Sequence, residues 1–261
     1  EMSASLVGSE MCIRDSICTS LISCSNSYQQ SQNLEIPINT IERAENIYYR
    51  LGYTVSFNPE LNIPNWVAWE LNSSKLIERE SRAGHFYPDP DIPRGIAVET
   101  GDYSNSGYDR GHMCPAADNK WDKQAMRESF YMTNICPQHH NLNRGDWKEL
   151  EDDCRRWVEE SGTIYIACGP ILYKNDISYI GEERKIRVPN AFFKVILAGL
   201  DEGKPRAIGF IYKNASGNNP LDHYVNSVDQ VERITGLDFF SQLPDDVENE
   251  IESNYNLNQW R

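Results

Sequence analysis

The sequence predicts an α+β domain, a mostly antiparallel central sheet flanked by helices, and three observations carry that expectation. Short apolar–polar alternations occur in pairs joined by turn-forming residues, as hairpins do. Trp147, Leu150, Cys154, Trp157 and Val158 recur at helical spacing and mark one long amphipathic helix. After residue 33 there is no internal repeat and no low-complexity linker, so residues 33–261 read as one domain.

The 261 residues are 39% hydrophobic and 11% aromatic, enough for a sizeable core. No run of about 18 apolar residues is present, so no membrane-spanning helix is expected. The net charge of −14 argues against nucleic-acid binding by bulk charge. A nucleic-acid enzyme with this composition needs a local basic cleft in an acidic body.

Residues 1–32 differ from the rest. They are polar and Ser-rich, and hold three of the seven cysteines, Cys12, Cys18 and Cys24. Leu21-Ile22-Ser23-Cys24 resembles a bacterial lipoprotein box, in which the cysteine carries the lipid and the polar run after it is a tether. Only Ile17 to Ile22 is apolar, too little for a signal h-region, and Leu6 to Ser16 resembles translated sequencing-adapter sequence. Residues 1–32 are expected to be a truncated lipoprotein leader, hence an exported bacterial protein, periplasmic or anchored to a membrane through Cys24, with a disordered tail carrying incidental cysteines as the alternative.

In the body, Asn39 to Arg50 reads as a short helix. Tyr53 to Phe57 and Trp66 to Leu71 read as an antiparallel pair across the turn-rich Pro59 to Pro64. Pro88, Pro90 and Pro93 make Phe86 to Pro93 an extended loop. Thr163 to Cys168 is a buried strand closed by Gly169-Pro170. Ala191 to Leu200 and Arg206 to Tyr212 are strands joined by the turn Asp201 to Lys204. Val225, Val228, Val231 and Ile234 form a helical stripe ended by Gly236, and Asp245 to Tyr255 is an acidic peripheral helix. Cys114, Cys136, Cys154 and Cys168 form an even set, with Cys114–Cys154 the favoured disulfide and buried free thiols the alternative.

Chemistry concentrates between Tyr108 and Val158. Asn143-Arg144-Gly145 precedes the periodic helix, so Asn143 is expected as its N-cap, with Asn143, Trp147 and Glu151 along one face. An amide oxygen and a carboxylate two turns apart can address one hard cation, one directly and one through its waters. His112, at a strand end, can take a proton from water attacking phosphorus. Arg110, two residues earlier, can grip a phosphate or stabilise transition-state charge. Base, cation, metal ligand and phosphate clamp together point to phosphodiester hydrolysis.

Asp109-Arg110-Gly111-His112, then Phe130 to Gln138 (FYMTNICPQ), then Asn143 to Glu151 (NRGDWKELE) resemble the DNA/RNA non-specific endonuclease family, the ββα-metal nucleases that include endonuclease G-like enzymes. The likeness runs from about Tyr53 to Phe240 and takes in Cys168 to Pro170, Val188 to Lys194 and Ile234 to Phe240. The resemblance implies a ββα-metal site with His112 as general base, Asn143 as the one direct protein ligand to Mg²⁺ (or Mn²⁺) and Glu151 holding the metal's waters. It implies Arg110 at the phosphate and Asn134 supporting the histidine or the substrate. Of Arg79 and Arg82, the pattern Arg82, Phe86, Asp89 favours Arg82 as the upstream arginine, and Asp109 is expected to brace the loop. The implied activity is sequence-nonselective hydrolysis of DNA and RNA to 5′-phosphate products, with a homodimer among the expected assemblies.

Two other readings are open. One is a catalytically inactive nucleic-acid- or surface-binding module on the same fold, which the acidic charge favours and intact His112, Asn143 and Glu151 oppose. The other is a zinc hydrolase or deaminase, for which His112-x-Cys114 and Cys136-x-x-His139 have ligand spacing. That pattern lacks a glutamate after His112 and has Cys136-Pro137 where Pro-Cys is expected.

Overall fold

The computed structural model describes residues 33–260; the leader expected at 1–32, with Cys24, lies outside them. β1 (Ile38–Asn39) and β2 (Asn46–Tyr49) occupy the stretch expected to be helical. The apolar residues there, Ile41, Ile47 and Tyr49, face solvent, and Ile47-Tyr48-Tyr49 gains more by pairing along β3 (Thr54–Asn58) than a lone, uncovered helix would. β3 returns through a turn at Asn62 into β4 (Ile63–Leu71), with a register shift between Ser56 and Phe57. The proline-rich stretch from Phe86 is irregular apart from a bridge between Tyr87 and Tyr131.

Next come β5 (Asp109–His112), α1 (Lys123–Ser129), β6 (Ile135–Gln138), α2 (His140–Arg144) and α3 (Asp146–Ser161). β7 (Ile164–Ile171) runs straight through Gly169-Pro170 and does not stop there as expected. Both residues sit in the ladder, Gly169 opposite Phe193 and Pro170 opposite Phe192. A short hairpin, β8 (Tyr179–Ile180) and β9 (Ile186–Arg187), precedes the strand pair β10 (Ala191–Ala198) and β11 (Arg206–Lys213). Val225, expected in the following helix, lies in β12 (Val225–Asn226). α4 (Val228–Thr235) begins only after Ser227 and Gln230 form a reciprocal cap, and it ends at Gly236. Ile234 is exposed, so Val228 and Val231 alone form its buried stripe. β13 (Leu237–Asp238) pairs with β1, and α5 (Asp245–Glu252) closes the acidic C-terminal stretch.

The seven-stranded sheet has the order β12-β11-β10-β7-β4-β3-β2 and every pairing is antiparallel. Alternation sorts its side chains into two layers. Ile164, Ile166 and Cys168 with Phe192 and Ile196 face α3, Trp147 and Trp157. Tyr165 and Ala167 with Phe193, Val195 and Leu197 face α4 and Phe239. The sheet is thus covered on both faces, which is why β10 is apolar at every position except Lys194. No helix among the described residues is long and apolar enough to cross a membrane.

Cys114, Cys136, Cys154 and Cys168 are all free and buried, which corrects the expected Cys114–Cys154 bridge. They pack as small apolar groups. Burial pushes the Cys154 and Cys168 thiols up to about 12, so they stay protonated.

Candidate active site

The site grows from a hairpin that stands apart from the large sheet. β5 pairs with β6 in the register Asp109↔Gln138, Arg110↔Pro137, Gly111↔Cys136 and His112↔Ile135. Gly111 is required there, since a Cβ would stand 2.2 Å from the Gln138 Oε1 and 2.6 Å from its Cβ. Two residues after β6 the chain enters α2, giving strand, strand, helix. The His139 ring nitrogen caps α2 by accepting from the Asn141 N–H at 3.2 Å.

His112 is 7% exposed, at the end of β5. Its ring lies 4.7 Å from Phe130, edge on, and 5.3 Å from Phe86. Nε2 is buried and has no hydrogen-bond partner among the described residues. Burial first, then the neighbouring Arg82, push its pKa down to about 3, so the imidazole is neutral at ordinary pH. The Arg82 guanidinium lies 5.2 Å over Phe130 and that of Arg110 lies 5.0 Å over Phe86. Those two rings are 5.1 Å apart, so a neutral base sits between two arginines on one aromatic patch. Arg127, 5.3 Å over Tyr87, extends the cationic surface. The three guanidiniums gather positive charge locally on an otherwise acidic chain.

Asn143 is not the N-cap of the long helix. It lies near the end of α2, and Gly145, at φ −107° and ψ −114°, separates that turn from α3 and caps it. Gly145 tolerates no side chain, because a Cβ would meet the Asn141 carbonyl oxygen at 2.6 Å. The Asn143 side-chain N–H donates to Asp109 at 2.9 Å. A carboxylate can only accept, so this contact fixes the amide's orientation. No described side chain or backbone group donates to the Asn143 Oδ1. Asp109 also faces His140 at 3.1 Å and Arg144 at 3.6 Å. Burial works to raise its carboxyl, but the hydrogen bonds from Asn143 and His140 outweigh it and hold Asp109 below its ordinary range.

Glu151 lies on α3, partly open to solvent, and makes no ion pair within 4.0 Å among the described residues. Burial raises it to about 7; Lys194 pulls the other way and Asp118 adds to the rise. Trp147, expected on the same face as Asn143 and Glu151, is fully buried against Phe192 and Tyr212. The break at Gly145 uncouples Asn143 from Trp147 and Glu151, which stay one turn apart on α3.

Asn134 is fully buried with its amide committed. It accepts from the Cys114 N–H at 2.9 Å and donates to the carbonyls of Cys114 and Ser129, each at 2.8 Å. Of the roles open to it, bracing the histidine strand fits and touching substrate does not. Asp89 is also structural, held by Arg50 at 2.7 Å and the Thr133 hydroxyl at 2.5 Å. Sequence reasoning missed Lys194: fully buried, its ammonium has no hydrogen-bond partner among the described residues and stands 4.4 Å over Trp147 and 5.7 Å over Trp69. A lysine inside the otherwise apolar run of β10 was the available signal.

The donors suit a hard divalent cation: an oriented amide oxygen with no protein donor, and a carboxyl with no basic partner in contact. Zinc chemistry finds no such support. Among the described residues the only three-membered group of potential ligands is Asp229, Glu232 and Glu252 on α4 and α5, and it includes none of His112, Cys114, Cys136 or His139.

Residues 30–246 match the model of the DNA/RNA non-specific endonuclease family. The chain is 37% identical over 210 residues to "Nuclease 1, mitochondrial" of Schizosaccharomyces pombe, covering 74% of this chain and 65% of that protein. It is 36% identical over 214 residues to "Nuclease EXOG, mitochondrial" of Danio rerio, covering 77% and 62%. It is 36% identical over 211 residues to a nuclease of Nostoc sp., covering 77% and 75%. This chain therefore spans just under two thirds of the length of the first two. Among solved structures, an EndoG/EndoGI complex aligns with a TM-score of 0.72 at 25% identity, covering 79% of this chain and 90% of that one.

Proposed function

We propose, from the premise that this chain belongs to the DNA/RNA non-specific endonuclease family, that it hydrolyses phosphodiester bonds of DNA and RNA without sequence preference. The observation that carries the reading is His112: a neutral imidazole with a buried, unpartnered Nε2 beside two arginines. An imidazole that stays unprotonated at ordinary pH is ready to accept a proton from an attacking water. Arg110 and Arg82 place positive charge where a phosphate would approach that base, and contacts to the phosphate backbone carry no sequence information.

Asn143, through Oδ1, would hold Mg²⁺ or Mn²⁺ directly, and Glu151 would hold its waters. When bound, the cation supplies positive charge to stabilise the leaving 3′ oxygen. Asp109 keeps the Asn143 amide turned the right way, and Asn134 keeps the strand after His112 in register. The products in this reading carry 5′-phosphates. Export, with a lipid anchor through Cys24, is proposed on the leader sequence alone.

The test is digestion of supercoiled plasmid and of structured RNA, with Mg²⁺ and with EDTA, followed by ligation of the DNA fragments. Cleavage of both polymers, blocked by EDTA and yielding ends that ligate without kinase treatment, supports the reading. Failure to cut either polymer with Mg²⁺, Mn²⁺ or Ca²⁺ would favour the inactive binding module.

A further inference from the structure

On the face of the sheet away from α3, three carboxylates from two helices converge. Asp229 and Glu232 stand one turn apart on α4, Glu252 is the last residue of α5, and each brings an oxygen to within 4.8 Å of the other two. None of the three has a basic partner within 4.0 Å among the described residues. Asp238 and Glu248 add negative charge nearby. One Glu232 oxygen accepts from the Phe239 N–H at 2.8 Å.

Glu252 is the telling member. It is 4% exposed, and its Oε1 is buried with no hydrogen-bond partner among the described residues. It also sits at the C-terminal end of a helix, where the unsatisfied carbonyls already make the potential negative. A buried, unpaired carboxylate there is costly unless a cation or a proton joins it. α5 itself has only Val247 and Ile251, both partly buried, to hold it to the apolar layer beneath.

We propose that Asp229, Glu232 and Glu252 form a Ca²⁺ site that ties α5 to α4, separate from the nuclease site. The donors are all carboxylate oxygens, as a hard cation requires. Oxygens on opposite sides of Ca²⁺ lie about 4.6–5.2 Å apart, against roughly 4.0–4.2 Å around Mg²⁺. The three oxygens, all within 4.8 Å of one another, fit inside one Ca²⁺ shell, and Ca²⁺ accepts the irregular, all-carboxylate geometry that Mg²⁺, with its near-ideal octahedron and retained waters, disfavours. Asp229 and Glu232 are half-buried, which leaves one side open for water to complete the coordination. Without a cation the group sheds charge by holding protons, Glu232 rising to about 7 and Glu252 to about 9.

Thermal unfolding of the full chain tests this, first stripped with EDTA, then in millimolar CaCl₂ or MgCl₂. The expected result is a Tm increase of about 5 °C with Ca²⁺ and a much smaller one with Mg²⁺. The Ca²⁺ shift persists in Asn143→Ala, which disables the proposed nuclease site, and is lost in Glu252→Gln and reduced in Asp229→Asn. Glu252→Gln keeps the side chain's shape, removes its ability to ionise and retains Mg²⁺-supported cleavage. No Ca²⁺ shift in the parent chain, or an equal shift in Glu252→Gln, overturns the site. An equal response to Mg²⁺ overturns the choice of ion.

Discussion

The Asp109 carboxylate accepts a hydrogen bond from the Asn143 side-chain amide at 2.9 Å, and that contact decides which end of the amide is left free. It links the first strand of the hairpin to the helix that follows the second. Asp109→Ala frees the amide to rotate. The expected effect is a rise of about 10- to 100-fold in the Mg²⁺ concentration needed for half-maximal cleavage, with Tm changed by a few degrees at most. An unchanged Mg²⁺ dependence would show that the contact does not orient the amide.

His112 owes its low pKa to burial first and to Arg82 second. Arg82→Ala removes only the second cause, so the pKa moves up but stays below the ordinary 6.5. NMR titration of the labelled imidazoles, five in this chain, reads this directly. The sign for stability follows from the same shift. The unfolded chain binds a proton near 6.5 and the folded one only near 3. His112 therefore withdraws stability as pH falls from 6.5 towards 3, and His112→Ala flattens that part of the curve.

Lys194 lowers the pKa of Glu151 from within the core. In Lys194→Met, Glu151 stays protonated to higher pH. Since the proposed role of Glu151 needs its ionised form, the acid limb of the pH–rate profile moves to higher pH. Glu151→Gln in the same background abolishes that limb. A limb that does not move in Lys194→Met would place Glu151 outside the rate-determining ionisation.

Gly111→Ala pushes a methyl group into the Gln138 side chain, at 2.2–2.9 Å. A loss of about 1–3 kcal/mol in urea unfolding is expected, with part of it recovered by adding Gln138→Ala. No recovery would mean that the Gln138 Cβ, at 2.6 Å and retained in Gln138→Ala, or the backbone resists the substitution, and not the carboxamide end.

Glu252 binds its proton near 9 when folded, against 4.5 for a free glutamate, so stability falls as pH rises through that window. In EDTA at pH 8, Glu252→Gln is expected to be more stable than the parent, on the order of 1–2 kcal/mol after allowance for solvent screening. Denaturant melts at pH 5 and pH 8 check it, since the difference should shrink at the lower pH.

Much of this was legible in the sequence where local pattern and chemistry coincide. The β3–β4 and β10–β11 pairs follow from alternation and turn residues, and α3 follows from its apolar spacing. His112 and Arg110 are two residues apart on one strand, so their shared neighbourhood was readable from the chain. Three things were not. The chain from Asn39 to Arg50 takes its form from an edge-pairing partner, which local propensity does not contain. The break at Gly145 moves Asn143 off the helix that Glu151 occupies, and a periodic pattern alone does not reveal where a helix is interrupted. Lys194 acquires its role only when α3, β4 and β10 are packed together, since Trp147, Trp69 and Glu151 come from distant parts of the chain.

The central claim is that His112 is the base of a metal-dependent nuclease, and one comparison tests it most directly. Plasmid cleavage in Mg²⁺ is measured for the parent chain and for His112→Ala, with circular dichroism and Tm confirming that both are folded. The account predicts a loss of at least about 100-fold in the variant and complete inhibition of the parent by EDTA. Cleavage at the parent rate by a folded His112→Ala chain would contradict it.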